Sequence, residues 1–280
     1  METRILDAQV SFLHQAFSTP LRLSSGVITE ITEARAEVTV EVAGQRATGR
    51  GSIYLSDLWA WPDPSLSHEQ RDAVLRARCD EIAARLPELC GEPAHPLELG
   101  LRLHHCVTGA EAAGGPPVLA RALCASPFDA ALHDAAGIAL ERSAFHLYRD
   151  TVPIPAADAL FPGGSACAAV ERVLRPTPAA TLDAWLVVAP GEALAREMEP
   201  WARGRGYRCF KLKLLGKSAA EDAAFTAEVF RTARELGVSE PRLSGDPNGG
   251  YPGPSETLEY LERLRELDAE AFAALEYVEQ

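Results

Sequence analysis

The sequence predicts a chain in two parts: an N-terminal α+β domain built on an antiparallel meander with helices, then an α/β domain that is the first half of a TIM-like (β/α) barrel. Three observations predict it. Residues up to about 55 alternate apolar and polar as strands do, the middle of the chain carries helical periodicity, and beyond residue 180 strand-like runs alternate with amphipathic helices. The last observation is the most specific. Segments 208–215, 241–248 and 275–280 each deliver one charged group near their C-terminal end, Lys213, Asp246 and Glu279, and both steps are 33 residues. A closed barrel of about 250 residues uses about 31 per βα unit, so equal steps of this size set the three side chains at one height on the rim that carries barrel chemistry.

In chain order, Ile5–Phe12 is the first candidate strand, Ala36–Val42 the second, with Val at every other position, and Ala47–Tyr54 the third, joined to the second by an Ala-Gly-Gln turn. Between the first two, residues 19–29 hold Pro20, Ser24, Ser25 and Gly26 and are expected to be a loop outside any element. Ser67-His-Glu-Gln70 is a capping box that opens a helix with Val74, Ile82 and Leu86 on its apolar face. Residues 117–148 form the longest apolar helical run. Residues 153–179, rich in Pro and Gly, read as a linker with a short helix around 167–174, which sets domains of 1–152 and 180–280.

Leu182–Val188 opens the barrel part. The next helix places Leu194, Met198 and Trp201 on one face, with Pro200 expected to kink it. Ser218-Ala-Ala-Glu221 is a capping box that opens a cleaner helix whose stripe is Phe225, Val229, Ala233 and Leu236, and Gly237 stands where a glycine cap belongs. Leu258, Leu261, Leu264 and Leu267 give the following helix its apolar stripe.

Composition narrows the function. A formal charge of −13, with no stretch that concentrates Arg and Lys, argues against nucleic acid as a partner. No run has the length of a bilayer span and the first residues have no apolar signal core, so the expectation is a cytoplasmic protein without a membrane partner. Six cysteines without a Cys-x-x-Cys pair argue against a disulfide framework or a zinc site. Asp129 and Asp134 are five apart, a poor same-face spacing for paired catalytic carboxylates, and read as structural.

Only three of the 27 basic residues are lysines, namely Lys211, Lys213 and Lys217. An Arg-using chain has kept Lys here, and an ammonium, unlike a guanidinium, can be tuned to act as a base. Lys211 and Lys213 share a strand face while Phe210, Leu212 and Leu214 take the other. Two adjacent ammoniums disfavour each other's charged form, which draws one of the pair toward the range of a general base. The bland reading is two solvated charges at a strand end. Carboxylates on the next two strands suit a hard divalent cation, Mg²⁺ with Mn²⁺ as the alternative, held by Asp246 and Glu279 with Asn248 orienting the ligand or its waters. Taken alone, Asp-Pro-Asn-Gly is an ordinary turn. A cation beside a lysine base serves removal of a proton α to a carboxylate, since it stabilises the enolate charge.

These segments resemble the enolase superfamily in its mandelate racemase and muconate-lactonizing branch. Phe210-Lys-Leu-Lys213 is similar to that family's Lys-x-Lys on the second barrel strand, Asp246-Pro-Asn248 to its Asp-x-Asn on the third, and Val278-Glu-Gln280 to its Glu-Gln on the fourth. Residues 126–137 resemble a further family signature, although Ile138-Ala-Leu-Glu-Arg-Ser143 lacks that family's usual basic residue after the glycine. The resemblance implies that Lys213 is the base, Lys211 its tuning neighbour, and Asp246 and Glu279 two metal ligands. It also implies that the α+β part caps the barrel, and that the loop carrying Ser24 and Ser25 closes over a small carboxylate substrate. The Glu-Gln ending leans toward the muconate-lactonizing and dipeptide-epimerase side.

Four strands are half of a closed barrel, so the expectation is an isomerase-type enzyme or the N-terminal fragment of one, with a third ligand and an opposing acid/base supplied from beyond Gln280. The open edges are expected to pair, in a homo-oligomer or with a second chain that completes the barrel. The alternatives are a catalytically inactive remnant or interaction module, and a barrel enzyme in which Lys213 forms a Schiff base.

Overall fold

The structure, a computed structural model, describes residues 2–23, 26–109, 115–148, 154–161, 165–174, 177, 179–191 and 193–279. The chain divides into two compact units, Met1–Ser18 with Glu30–Pro178, and Thr19–Thr29 with Ala179–Gln280.

Strands β1 (Thr3–Leu23), β2 (Gly26–Val42) and β3 (Gln45–Tyr54) form one sheet in that order. The β2–β3 hairpin runs in register from Glu33 opposite Tyr54 to Val42 opposite Gln45. Its two turn residues, Ala43 and Gly44, both have positive φ, the turn whose twist matches paired strands. Ala34, Ala36, Val38, Val40 and Val42 are buried, which gives β2 the strict alternation of a half-buried strand. Of the loop expected over 19–29, residues 19–23 belong instead to β1 and residues 26–29 to β2. The β-branched run Val27-Ile28-Thr29 extends β2, and Pro20 is tolerated because β1 is an edge strand. Ser24 and Ser25 lie outside the described residues.

Helices α1 (Asp57–Ala60), α2 (His68–Cys90), α3 (Pro96–Thr108), α4 (Val118–Ala139), α5 (Ala144–Leu147), α6 (Pro155–Asp158) and α7 (Ala166–Val173) follow. The capping box at Ser67 and Gln70 is formed in both directions. Val74, expected on the buried face of α2, is exposed, and Leu75, Cys79, Ile82, Leu86 and Cys90 carry that face instead. Helix α4 lies directly on β3. A Cβ at Gly49 would stand 2.1 Å from the Ala135 amide nitrogen, and one at Gly51 would stand 2.1 Å from the Pro127 carbonyl oxygen. Asp134 seals the same contact by accepting the Arg50 amide at 2.9 Å.

Those glycines predict opposite outcomes for two alanine substitutions. Gly51→Ala forces backbone apart and is expected to cost about 3 kcal/mol, the upper range for overpacking. Gly204→Ala, in an exposed helical turn with nothing within 4 Å, is expected to stabilise by about 0.5–1 kcal/mol. Urea midpoints measured on the two variants check both signs.

The second unit alternates β4 (Trp185–Val188), α8 (Leu194–Arg205), β5 (Cys209–Lys213), α9 (Ala219–Glu235), β6 (Arg242–Asp246), α10 (Pro254–Leu267), α11 (Ala269–Ala274) and β7 (Leu275–Val278). All strand pairs are parallel, in the order β4-β5-β6-β7. Trp185 and Tyr277 belong to strands at opposite ends of that order, yet their rings are 5.9 Å apart, so the sheet is strongly curled. Its other face is the core of the unit, where Phe210, Leu212, Leu214 and Leu243 pack with Phe225, Val229, Tyr260 and Leu264 from the helices.

Helix α9 ends as expected. Gly237 has φ +93, and the amides of Gly237 and Val238 return to the Arg234 and Ala233 carbonyls in a Schellman motif. Two stripes differ from expectation. In α8, which runs through Pro200, Ala202 is buried with Leu194 and Met198, while Trp201 stacks edge-on with Tyr207. In α10, Leu258 and Leu267 are exposed and Tyr260 and Leu264 are buried. On a helix of about 3.6 residues per turn Leu258 lies nearly opposite Tyr260, whereas Leu267 is in line with Tyr260 but is the last residue of the helix.

At the N-terminal end of the strands, Asp183 accepts from Arg208 and Arg242, both at 3.0 Å, and Arg242 also donates to Glu276 at 2.9 Å. Hydrogen bonds from Arg208 hold Asp183 below its ordinary 3.8, and those from Arg242 hold Glu276 below 4.5. Both carboxylates therefore bind protons less readily folded than unfolded, so their contribution is complete above about pH 5 and is lost as pH falls through their lowered values. The thermal midpoint of Asp183→Asn is expected to lie below the wild type at neutral pH and to converge on it as pH falls below 4. An offset that persists in acid would assign the loss to packing.

Candidate functional site

The site is built by strand register. Lys213 stands beside Asp246 and Lys211 beside Ser244, and neighbours in a parallel ladder share a face. Since Phe210 and Leu212 fill the helix-covered core, the lysines take the concave face. On β7 an irregularity pairs Leu275 with Leu243 but Tyr277 with Ser244, so that Glu276 is the extra residue. The Glu279 amide then bonds to the Gly245 carbonyl at 2.8 Å, which brings Glu279 level with Asp246.

Asp246 is the hub and is 4% exposed. Its Oδ2 accepts from Lys213 Nζ at 2.5 Å and pairs with Lys211 Nζ at 3.1 Å, while its Oδ1 accepts the Asn248 amide at 3.0 Å. Lys213 also donates to Asn248 Oδ1 at 3.0 Å. That contact uses a left-handed turn at Asn248, φ +48, a conformation Asn tolerates. Lys211 Nζ reaches Glu279 Oε2 at 2.6 Å and so bridges the two carboxylates.

Burial works to raise the Asp246 carboxyl, but hydrogen bonds and charge from Lys213 and Lys211 outweigh it and hold the group below the usual carboxylate range. Burial works to lower the Lys211 ammonium, and its bonds to Glu279 and Asp246 outweigh that as well, so its pKa is raised. The mutual depression expected of adjacent lysines is thus reversed at Lys211, because the anions Asp246 and Glu279 stand beside its ammonium.

Lys211, Lys213, Asp246, Asn248 and Glu279 are therefore brought together, whereas Ser24, Ser25 and Gln280 lie outside the described residues. Sequence reasoning missed Ser244. Its side chain is fully buried next to Lys211, and among the described residues its hydroxyl has no hydrogen-bond partner. A serine on a short strand carries no signal of this kind.

Among the described residues no group of three or more His, Cys, Asp or Glu could hold a metal ion. The donor set still fits a hard cation. Asp246 and Glu279 share the Lys211 ammonium and are oxygen donors of the kind Mg²⁺ takes, which asks no more than one or two carboxylates with water or substrate oxygens for the rest. No helix among the described residues is long and apolar enough to cross a membrane.

No protein-family model matches the chain, and no curated protein sequence does. Solved structures do match its fold. The muconate lactonizing enzyme of Pseudomonas fluorescens, complexed with muconolactone, aligns over 94% of this chain and 58% of its own at 16% identity and a TM-score of 0.56. The L-Ala-D/L-Glu epimerase of Bacillus subtilis, in a substrate-liganded complex, aligns over 99% and 61% at 17% identity and a TM-score of 0.56. An enolase of Bradyrhizobium, complexed with magnesium and mandelic acid, aligns over 96% and 60% at 18% identity and a TM-score of 0.51. The chain thus spans about 60% of the length of the structures it matches. The resemblance read from the motifs is matched in the fold, an antiparallel N-terminal sheet with helices followed by part of the barrel of these enzymes.

Proposed function

We propose that this chain is an enzyme of the enolase-superfamily kind, or the N-terminal part of one, that removes the α-proton of a small carboxylate substrate in a racemase, epimerase, cycloisomerase or dehydratase reaction. The observation that carries the reading is the bridge of Lys211 between Asp246 and Glu279, with Lys213 on the same Asp246 oxygen. Asp246 and Glu279 are the residues that would hold Mg²⁺, and the chemistry it supplies when bound is neutralisation of the charge that develops on the substrate carboxylate. Lys213 takes the proton. To do so it must present a neutral amine to the α-carbon, so its contact with the Asp246 oxygen has to be released first. Asn248 stays within reach of Lys213 Nζ and can keep the amine on the concave face.

The test is incorporation of solvent deuterium at the α-carbon of a panel of hydroxy acids, N-acyl amino acids and dipeptides, followed by proton NMR with and without Mg²⁺. Exchange that requires the metal is the expected result. Borohydride trapping of a substrate on Lys213 without metal would replace this reading with Schiff-base chemistry.

A further inference from the structure

The geometry points to Asp222 as a positioning residue that locks together the two loops flanking the lysine and carboxylate cluster, an inference that rests on reading this cluster as the site. Asp222 lies in the first turn of α9 and is 3% exposed. Its Oδ1 accepts the Leu215 amide at 3.0 Å, and its Oδ2 accepts the Gly216 amide at 3.0 Å and the Tyr251 hydroxyl at 2.7 Å. Leu215 and Gly216 follow Lys213 by two and three residues, and Tyr251 follows Asn248 by three. One carboxylate therefore holds the loop after the lysine strand and the loop after the Asp246 strand.

The two loops touch through backbone. A Cβ at Gly216, where φ is +63, would stand 2.6 Å from the Gly250 carbonyl carbon, and one at Gly250 would stand 2.6 Å from the Leu215 oxygen. Backbone at this separation has no side chains to set its spacing, and Asp222 sets it by hydrogen bonds. All three donors are neutral, and bonds to an ionised acceptor are shorter and about twice as strong as neutral ones. The helix N-terminus favours the same charge. A buried carboxylate is a costly way to add stability alone, whereas it specifies which groups must meet. The spacing so fixed is that of Lys213 relative to Asp246 and Asn248, since each of these leads directly into a locked loop.

Three variants of the full chain test this: Asp222→Asn, Tyr251→Phe and, as a control, Thr226→Val. The control removes a buried hydroxyl that donates to the Asp222 backbone carbonyl at 2.8 Å and pairs with Tyr260 at 3.0 Å, and it leaves all three donors to the Asp222 carboxylate in place. Mass spectrometry reads acetylation of Lys213 relative to Lys217 by an N-hydroxysuccinimide ester. Hydrogen exchange reads the amides of residues 215–216 and 248–251, and calorimetry reads Mg²⁺ affinity. Asp222→Asn is expected to raise the Lys213 labelling ratio severalfold, to speed exchange in both loops, and to weaken Mg²⁺ binding about tenfold, as loss of a partner behind a ligand does. Tyr251→Phe should do the same to a lesser degree and keeps the test open if Asp222→Asn fails to fold. Thr226→Val should lower the melting temperature and leave labelling and exchange in place. The inference is overturned if neither loop variant changes labelling or exchange, or if the control changes them equally. Should the wild type take up no Mg²⁺, the proposed metal site fails, and the lock is still decided by labelling and exchange.

Discussion

Lys213→Arg is expected to reduce α-deuterium incorporation by about 10²–10⁴-fold, the range a positioned general base contributes, with little change in melting temperature. The substitution separates charge from proton transfer. Arginine keeps a cation beside Asp246, and its fork can reach both Asp246 and Asn248, which lie at 2.5 and 3.0 Å from the present amine. Its guanidinium cannot surrender a proton near neutral pH. A folded variant that still exchanges the α-proton at the wild-type rate would remove Lys213 from the chemistry. Loss of exchange together with a large fall in stability would instead mean that the lysine holds the sheet, which Lys213→Met, lacking charge altogether, would show as a still larger fall.

Much of this site was legible because strand register is arithmetic. Residues two apart on a strand share a face, so Lys211 and Lys213 had to point together, and the step of 33 residues foretold that Lys213 and Asp246 would stand side by side on neighbouring strands. The hidden features depend on neighbours that sequence does not pair. Glu279 is level with Asp246 only because β7 carries an extra residue at Glu276, and nothing in Leu-Glu-Tyr-Val signals it. The reversal at Lys211 required knowing that two carboxylates sit within 3.1 Å of one ammonium. Asp222 reads in sequence as an ordinary acidic residue of a helix first turn, and its three partners come from two loops 29 and 6 or 7 residues away.

The fold shows the same division. The alternation of β2 and the capping signals of α2 and α9 are local, and they were readable. The continuation of β1 and β2 toward one another was not, because Pro, Ser and Gly there argue for a loop while edge position and β-branching decide for strand. The buried faces of α8 and α10 were misplaced by roughly one residue in period, since apolar residues on an exposed side are common and a row of leucines does not identify the side that is covered.

Asp246→Asn is expected to have the largest effect on cation binding and also a measurable cost in stability. Asp246 is almost fully buried, and three donors converge on it. An amide in its place offers one acceptor oxygen where the carboxylate offered two, and it leaves the Lys211 and Lys213 ammoniums facing each other with Glu279 as the remaining anion. Breaking a fully buried pair costs about 3–5 kcal/mol. The lysine side chains here are 24% and 14% exposed, so solvent screening brings the expected loss to about 2–3 kcal/mol. Glu279→Gln should cost less in stability, because Glu279 is 37% exposed and meets one lysine. Mg²⁺ titration by calorimetry should therefore rank affinity as wild type, then Glu279→Gln, then Asp246→Asn, with Asp129→Asn indistinguishable from wild type because its carboxylate pairs with His133 on α4. An Asp129→Asn variant that loses the cation while Asp246→Asn retains it would move the site out of the parallel sheet.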